Sequence, residues 1–271
     1  MLKRNLVRAR LENGENAIGI WVQTGSAAVV EIAGEVGLDF VLIDGEHGSF
    51  GFEHSVTLIR TAEAAGLTPV VRVPVGEPVD LGRYLDAGAG GLLIPQVRSG
   101  EHAHAIVSAA KYRTKKFPAG TRGACPITRA TAYGSPNWKD YAEKANNSCL
   151  VWMLLETPEA LDDLPAILDV SGIDGIMLGT HDLAVAMGYD GDRGHKDVLA
   201  KIEGVAAQIR AKGIEVIGSL DDSSPRAALL QHDTLTAEGT RIFMTASDGR
   251  VLFNSFRNLH TALRHGSCDN R

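Results

Sequence analysis

Residues 38–50 read LDFVLIDGEHGSF. From Leu38 to Ile43 all but Asp39 are apolar or aromatic, the length and character of a buried strand. The run then meets Asp44, Glu46 and His47, separated only by Gly45 and followed by Gly48. Ionisable groups at the end of a core strand are costly to bury unless they are paired or meet a ligand. A strand apolar on both faces belongs to a parallel sheet covered by helices. The stretch therefore predicts a fold whose buried strands deliver polar groups to a site.

Outward from it the same unit repeats. AIGIWVQ (17–23) is strand-like, and SAAVVEIAGEVG (26–37) is helical, with Ser26 as its N-cap and Gly37 as its stop. After FVLID come helix 52–66, strand PVVRV (69–73), helix 78–89, strand GLLIPQV (91–97) and helix 100–112. Beyond an irregular segment, 113–147, the rhythm resumes with CLVWMLLE (149–156), PEALDDLPAILDVSG (158–172), IDGIMLG (173–179) and a helix ending KIEGVAAQIRAKG. IEVIGSL (214–220), helix 224–239, RIFMTAS (241–247) and a last helix from Gly249 complete it. Eight strand–helix units closing on themselves give an α/β fold, a single (β/α)8 TIM barrel over 1–271, with 266–271 as a disordered tail. An open doubly wound sheet is the alternative, but the first strand lacks the GxGxxG turn. GLDFVLIDGEH (37–47) and GIDGIMLGTHD (172–182) echo one another, which convergence on one helix–turn–strand geometry explains without duplication.

The 271 residues are 44% hydrophobic with a net charge of −6, which suits one globular domain and argues against nucleic acid as a partner. No run has signal-peptide character or approaches a membrane span. Cys125, Cys149 and Cys268 are odd in number and widely spaced, so reduced thiols in a cytoplasmic enzyme are expected.

Barrel chemistry sits at the C-terminal ends of the strands. Those ends carry Asp44, Glu46 and His47, then Arg72, Gln96 and Glu156, and finally His181 and Asp182. Glu156 and Asp182 come from consecutive units, and two close carboxylates repel unless protonated or bridged by a cation. Oxygen ligands of this kind suit a hard divalent ion, Mg²⁺ or Mn²⁺. Helix capping is the alternative, but Thr157 and Pro158 already supply a cap after Glu156. Arg72, with apolar neighbours on both sides, needs an anionic partner: Asp44 or Glu46 within the chain, a carboxylate ligand, or both. An imidazole titrates near neutrality, so His47 suits proton transfer. Asp86 alone reads as a helix-surface acid. None of the nine lysines falls on a predicted strand, which argues against Schiff-base catalysis. No Gly-rich phosphate loop stands out; TASDGR (245–250) is a weak anion signal. Residues 113–129 carry five basic groups and no acid, and the insertion 113–147 is expected to cover the rim or cross to a neighbouring subunit rather than lie as a solvated loop.

With these residues in hand, the chain resembles the 4-hydroxy-2-oxoheptanedioate aldolase family, the metal-dependent (class II) pyruvate aldolases that include macrophomate synthase. The likeness covers about residues 15–255. It rests on FVLIDGEHG, PVVRVP, YLDAGAGGLLIPQV, GTRG with TRATAYG, ET followed by AL, and GIDGIMLGTHDLAVAMGY. It implies a barrel of the phosphoenolpyruvate/pyruvate type, commonly a hexamer (a trimer of dimers) with a swapped C-terminal helix. It also implies a divalent metal (Mg²⁺, Mn²⁺ or Co²⁺) and cleavage of 2-keto-4-hydroxy acids to a keto acid and an aldehyde. Carried over by residue, Glu156 and Asp182 match the metal ligands, Arg72 the arginine on the enolate oxygen, and His47 with Asp86 the acid–base dyad. Gly179, Thr180, His181 and Asp182 fall in the substrate-carboxylate motif, and Arg122 in GTRG. Two positions depart. Leu154 replaces a glutamine usual two residues before the glutamate ligand, and GTHD replaces Gly-Pro-(Ala or Ser)-Asp. These point to an altered substrate or enolate fate, so oxaloacetate decarboxylation or macrophomate-synthase-like bond formation is the second reading, and a non-catalytic keto-acid-binding barrel the third.

Overall fold

The computed structural model describes residues 3–74, 81–134, 137–220 and 224–265. The expected tail, Cys268 and the start of the predicted helix 78–89 lie outside them. Eight parallel strands close in sequence order: β1 (Ala17–Val22), β2 (Phe40–Asp44), β3 (Thr68–Arg72), β4 (Gly91–Ile94), β5 (Leu150–Leu155), β6 (Gly175–Leu178), β7 (Glu215–Ser219) and β8 (Ile242–Ser247). Every residue of β2, β3, β5 and β6 is buried, as strands walled on both faces require. Alternation splits them. Phe40, Leu42, Val70, Leu93, Leu150, Trp152, Leu154 and Met177 fill the interior, where Phe40 meets Trp152 edge to face at 5.4 Å. Val41, Ile43, Val71, Leu92, Val151 and Met153 face the helices. Continued by two, the inward phase reaches Asp44, Arg72 and Glu156, which sets these three at the mouth.

The helices are α1 (Leu6–Glu12), α2 (Ala27–Glu35), α3 (Phe52–Ala64), α4 (Leu81–Ala87), α5 (Gly100–Ala110), α6 (Trp138–Ser148), α7 (Pro158–Asp162), α8 (Leu164–Leu168), α9 (Thr180–Ala186), α10 (Lys196–Ala211), α11 (Pro225–Ala237) and α12 (Asp248–His265). Ser26 caps α2 by accepting from the Val29 N–H, and Thr157 caps α7 with Pro158 in its first turn. Three features differ from the sequence reading. α1, capped by Asn5, closes the N-terminal face, where the Asn5 amide donates to the Gly90 and Ser148 carbonyls at 3.0 and 2.9 Å. The predicted helix 158–172 breaks at Asp163 into α7 and α8, because Pro165 cannot continue the first. The insertion carries its own helix, α6, capped by Asn137.

The insertion's described contacts also revise its expected role at the rim. Thr121 and Arg122 donate from their backbones to the Ser108 and Lys111 carbonyls, Ala130 to that of Asp86, and Arg129 pairs with Glu63. It packs outside the barrel against the returning ends of α3, α4 and α5, away from its own mouth. On the opposite side α11 buries no residue, and α12 exposes Val251, Leu252, Phe253, Phe256, Leu259 and Leu263. Among the described residues no helix is long and apolar enough to cross a membrane.

Candidate active site

The mouth is organised around Asp44, whose side chain is fully buried. It accepts from Arg72 twice, Nε at 2.8 Å and Nη2 at 2.6 Å, and from the Gln23 amide at 2.8 Å. The Glu46 and His47 backbone N–H groups add bonds of 3.2 and 3.1 Å. Gly45 and Gly48 permit this turn, since a Cβ on Gly48 would stand 2.2 Å from the Asp44 carbonyl and one on Gly45 2.7 Å from that of Arg72. Burial pushes the Asp44 carboxyl up, but the Arg72 bonds and charge outweigh it and hold the group below the usual carboxylate range.

Arg72 also reaches Glu46 Oε2 from Nη1 at 3.1 Å and lies 4.6 Å over the Trp21 ring. Nε and Nη2 are hydrogen-bonded to Asp44 and Nη1 forms an ion pair with Glu46, and the five-donor fork keeps capacity on its terminal nitrogens for a ligand. His47 is exposed, with Nε2 at 3.8 Å from Glu46 Oε2. Glu156 accepts the Gln96 N–H at 2.8 Å, an approach made by a left-handed backbone at Gln96 (φ 52°). The Gln96 side chain accepts from Arg98 at 3.1 Å. Burial first, and the charges of Asp182 and Glu46 with it, raise the Glu156 carboxyl. Burial likewise raises that of Glu46 despite Arg72. Asp182 stands exposed in the first turn of α9. Gly179 lies against Glu156, where a Cβ would come 2.4 Å from that of the glutamate.

Four carboxylates, Asp44, Glu46, Glu156 and Asp182, thus gather around one guanidinium, electrostatically coupled to one another. Among the described residues no group of three or more His, Cys, Asp or Glu side chains is arranged to hold a metal ion. The donor set still fits a hard divalent cation held by two carboxylates. Two oxygen donors face an excess of negative charge that Arg72, already committed to Asp44 and Glu46, cannot balance.

Arg72, Thr180 and His181 line a cavity of about 1180 Å³. It continues over the ends of β7 and β8 and into the crevice between α10 and α11. Gln23, Trp21, Leu220, Arg193 and Arg250 also line it; sequence reasoning placed none of them in the site, although Arg250 ends TASDGR, the weak anion signal. Trp21 and Gln23 carry a signal that could have found them, the inward phase of β1. Leu220 is apolar, Arg193 lies in the loop between α9 and α10, and Arg250 lies in the first turn of α12. Leu154 is buried in the interior cluster beside Met177, its partner in register.

Two expected residues sit elsewhere. Asp86 pairs with Arg122 at 2.9 Å, and Arg122, itself buried, lies 4.2 Å over the Tyr112 ring. Within one chain Asp86 makes no ion pair with His47, because α4 carries it outward to the insertion; Glu46 is the carboxylate near His47. One further brace reaches the mouth. Buried Asp248, the first residue of α12, accepts from the Gln23 N–H at 2.9 Å and the Thr24 hydroxyl at 2.5 Å, fixing the loop whose Gln23 amide holds Asp44.

Comparison with known proteins agrees with this architecture. The model of the HpcH/HpaI aldolase/citrate lyase family matches residues 17–255. A hydroxypyruvate/pyruvate aldolase from Sagittula stellata is 36% identical over 228 residues, 84% of this chain and 88% of that protein. A 4-hydroxy-2-oxo-heptane-1,7-dioate aldolase from Escherichia coli is 37% identical over 210 residues, 77% of this chain and 78% of that one. The crystal structure of an HpcH/HpaI aldolase/citrate lyase family protein from Burkholderia cenocepacia superposes with a TM-score of 0.86 at 29% identity, covering 96% of this chain and 99% of that chain.

Proposed function

The chain belongs to the HpcH/HpaI aldolase/citrate lyase family, and we propose that it is a divalent-metal-dependent carbon–carbon lyase acting on 2-keto-4-hydroxy acids through a pyruvate-type enolate. The observation that carries this reading is the braced Arg72, with donor capacity on its terminal nitrogens, facing the Glu156–Asp182 pair across the mouth. Breaking the bond between C3 and C4 leaves its electron pair on the keto acid as an enolate, and an arginine held by Asp44 is a preorganised donor for that oxygen. His47, exposed at the mouth, takes the proton of the C4 hydroxyl as the C4–O bond becomes a carbonyl, and can return a proton to C3. Thr180 and His181, opening α9, hold the substrate carboxylate. Glu156 and Asp182 would hold the metal, Mg²⁺, Mn²⁺ or Co²⁺, which when bound supplies Lewis-acid stabilisation of developing negative charge.

Deuterium exchange at the methyl group of pyruvate, followed by NMR with each metal and with chelator, tests the proposal. Metal-dependent exchange that disappears in Glu156→Ala supports it; no exchange with any metal removes it. A second reading keeps the enolate and changes its fate, to oxaloacetate decarboxylation or macrophomate-synthase-like bond formation. Leu154 and His181 favour it, because they alter the polarity and bulk beside the bound keto acid. The apolar face of α12 supports a homo-oligomer, for which a hexamer is the proposed form. Free Cys125 and Cys149 fit a cytoplasmic setting.

A further inference from the structure

The two oxygens of the Asp44 carboxylate are held from different directions. Oδ1 accepts Arg72 Nε together with the Glu46 and His47 N–H groups, which belong to the turn after its own strand. Oδ2 accepts Arg72 Nη2 and, at 2.8 Å, the Gln23 amide. Among the described residues Gln23 is thus the group that fixes Oδ2 independently of Arg72. Without it the carboxylate can pivot about its Cβ–Cγ bond, and the guanidinium bonded to it follows. Gln23 continues the inward phase of β1 after Gly19 and Trp21, whose ring lies 4.6 Å from the Arg72 guanidinium carbon.

The β1–β8 ladder alone does not place Gln23. Gly19 is in register with Met244, but Trp21 meets Ser247, so two steps along β1 face three along β8. At this slip the Thr245 hydroxyl donates to the Gly19 carbonyl at 3.1 Å. A bulge of this kind re-aims side chains and ends regular pairing. Past it the buried Asp248 carboxylate takes the place of the ladder. Its Oδ1 accepts the Gln23 N–H, and Thr24 gives the same carboxylate its own N–H and hydroxyl. Oδ1 also accepts the Gly249 N–H at 2.8 Å, which ties the carboxylate to the start of α12.

We propose that Gln23 is a positioning residue for Arg72 and that Asp248 is its anchor, so that the junction of β8 and α12 sets the aim of the guanidinium on β3. This rests on the lyase reading above and deepens it: Gln23 acts through Asp44, not by contact with the keto acid. Arg72 keeps its pair with Asp44 when Gln23 is lost. A donor displaced by about 1 Å nevertheless forfeits up to about 100-fold in rate, so the loss falls on kcat.

The test is pyruvate methyl exchange with Mn²⁺, measured for kcat and KM in Gln23→Ala, Asp248→Asn and the double variant. Mn²⁺ affinity by calorimetry and urea unfolding midpoints are taken on the same preparations. Gln23→Ala should lower kcat about tenfold or more, with KM and Mn²⁺ affinity within about twofold of the wild type. Asp248→Asn should act in the same direction, and the double variant should be within about twofold of the slower single one, because both act on one relay. If Asp248→Asn does not fold, Thr24→Val, which removes one bond of the anchor, completes the same cycle with Gln23→Ala. A rise in KM at unchanged kcat makes Gln23 a substrate contact and overturns the proposal. Losses in kcat that multiply in the double variant, or a lower unfolding midpoint with kcat intact, overturn it as well. Each of these leaves the lyase reading standing; absence of exchange in the wild type with any metal overturns both.

Discussion

The two sides of the barrel mouth are built differently. On the β2, β3 and β5 side every charge has a named partner: Asp44 with Arg72 and Gln23, Glu46 with Arg72, Glu156 with the Gln96 N–H. On the β6 to β8 side the cavity runs between α10 and α11, α11 buries no residue, and exposed Arg193 stands at the cavity wall. The first side has the rigidity that the proposed enolate chemistry demands, because donors must be in place before the charge appears. The second has room and looser packing. The contrast is one of rigidity, so perturbations should sort by side.

The largest effect is expected at the braced side. Arg72→Ala removes the proposed enolate donor and strands fully buried Asp44, so kcat should fall more than about 100-fold and urea unfolding should lose about 3–5 kcal/mol. Arg193→Gln, on the open side, should leave the unfolding midpoint where it was; equal losses would erase the distinction.

Next comes Gln96. Proline there abolishes the N–H that Glu156 accepts and cannot adopt the left-handed backbone, for an expected cost of about 1–3 kcal/mol and weaker Mn²⁺ binding by calorimetry. Glycine, which adopts that conformation freely, should bind Mn²⁺ as the parent does.

Two carboxylates of the same mouth should respond to pH with opposite signs. Asp44 lies below its ordinary value when folded, so the stability it contributes is present above the unfolded carboxylate range and is lost as pH falls through the folded value. Glu156 lies above its ordinary value, so its ionisation opposes folding increasingly as pH rises through that raised value. Metal-free Glu156→Gln should therefore melt higher than the parent at neutral pH, while losing Mn²⁺ binding. A lower melting temperature would mean that Glu156 is a structural member of the brace.

The smallest effect on the barrel itself is expected on α12. Phe256 is 67% exposed, and Phe256→Asp should change chain stability at low protein concentration by no more than about 0.5 kcal/mol. Sedimentation should nevertheless show a smaller assembly.

The braced side was the legible one. Asp44, Arg72 and Glu156 extend the inward phase of apolar strands, so period-two alternation and the cost of burying charge were enough to single them out. The open side was less so, because Arg193 and Arg250 lie past β6 and β8, which end in Leu178 and Ser247, and a surface arginine looks like any other until the fold brings it to a cavity. The surroundings of Asp86 were illegible for a related reason: within the chain it pairs with Arg122, 36 residues away in an irregular insertion that no periodicity could place. The helices missed, α1 and α6, each announce themselves by an asparagine cap that stood among too many polar neighbours to be noticed.

The bond from Thr24 to Asp248 joins residues 224 positions apart, and β8 must pair with β1 before it can form. On a ribosome, the first strand therefore waits for nearly the whole message to be read. Until then Gln23 has no anchor and Arg72 lacks its full brace. A chain that ends before Asp248 therefore carries Arg72 and Asp44 without the residue that anchors the loop bearing Gln23.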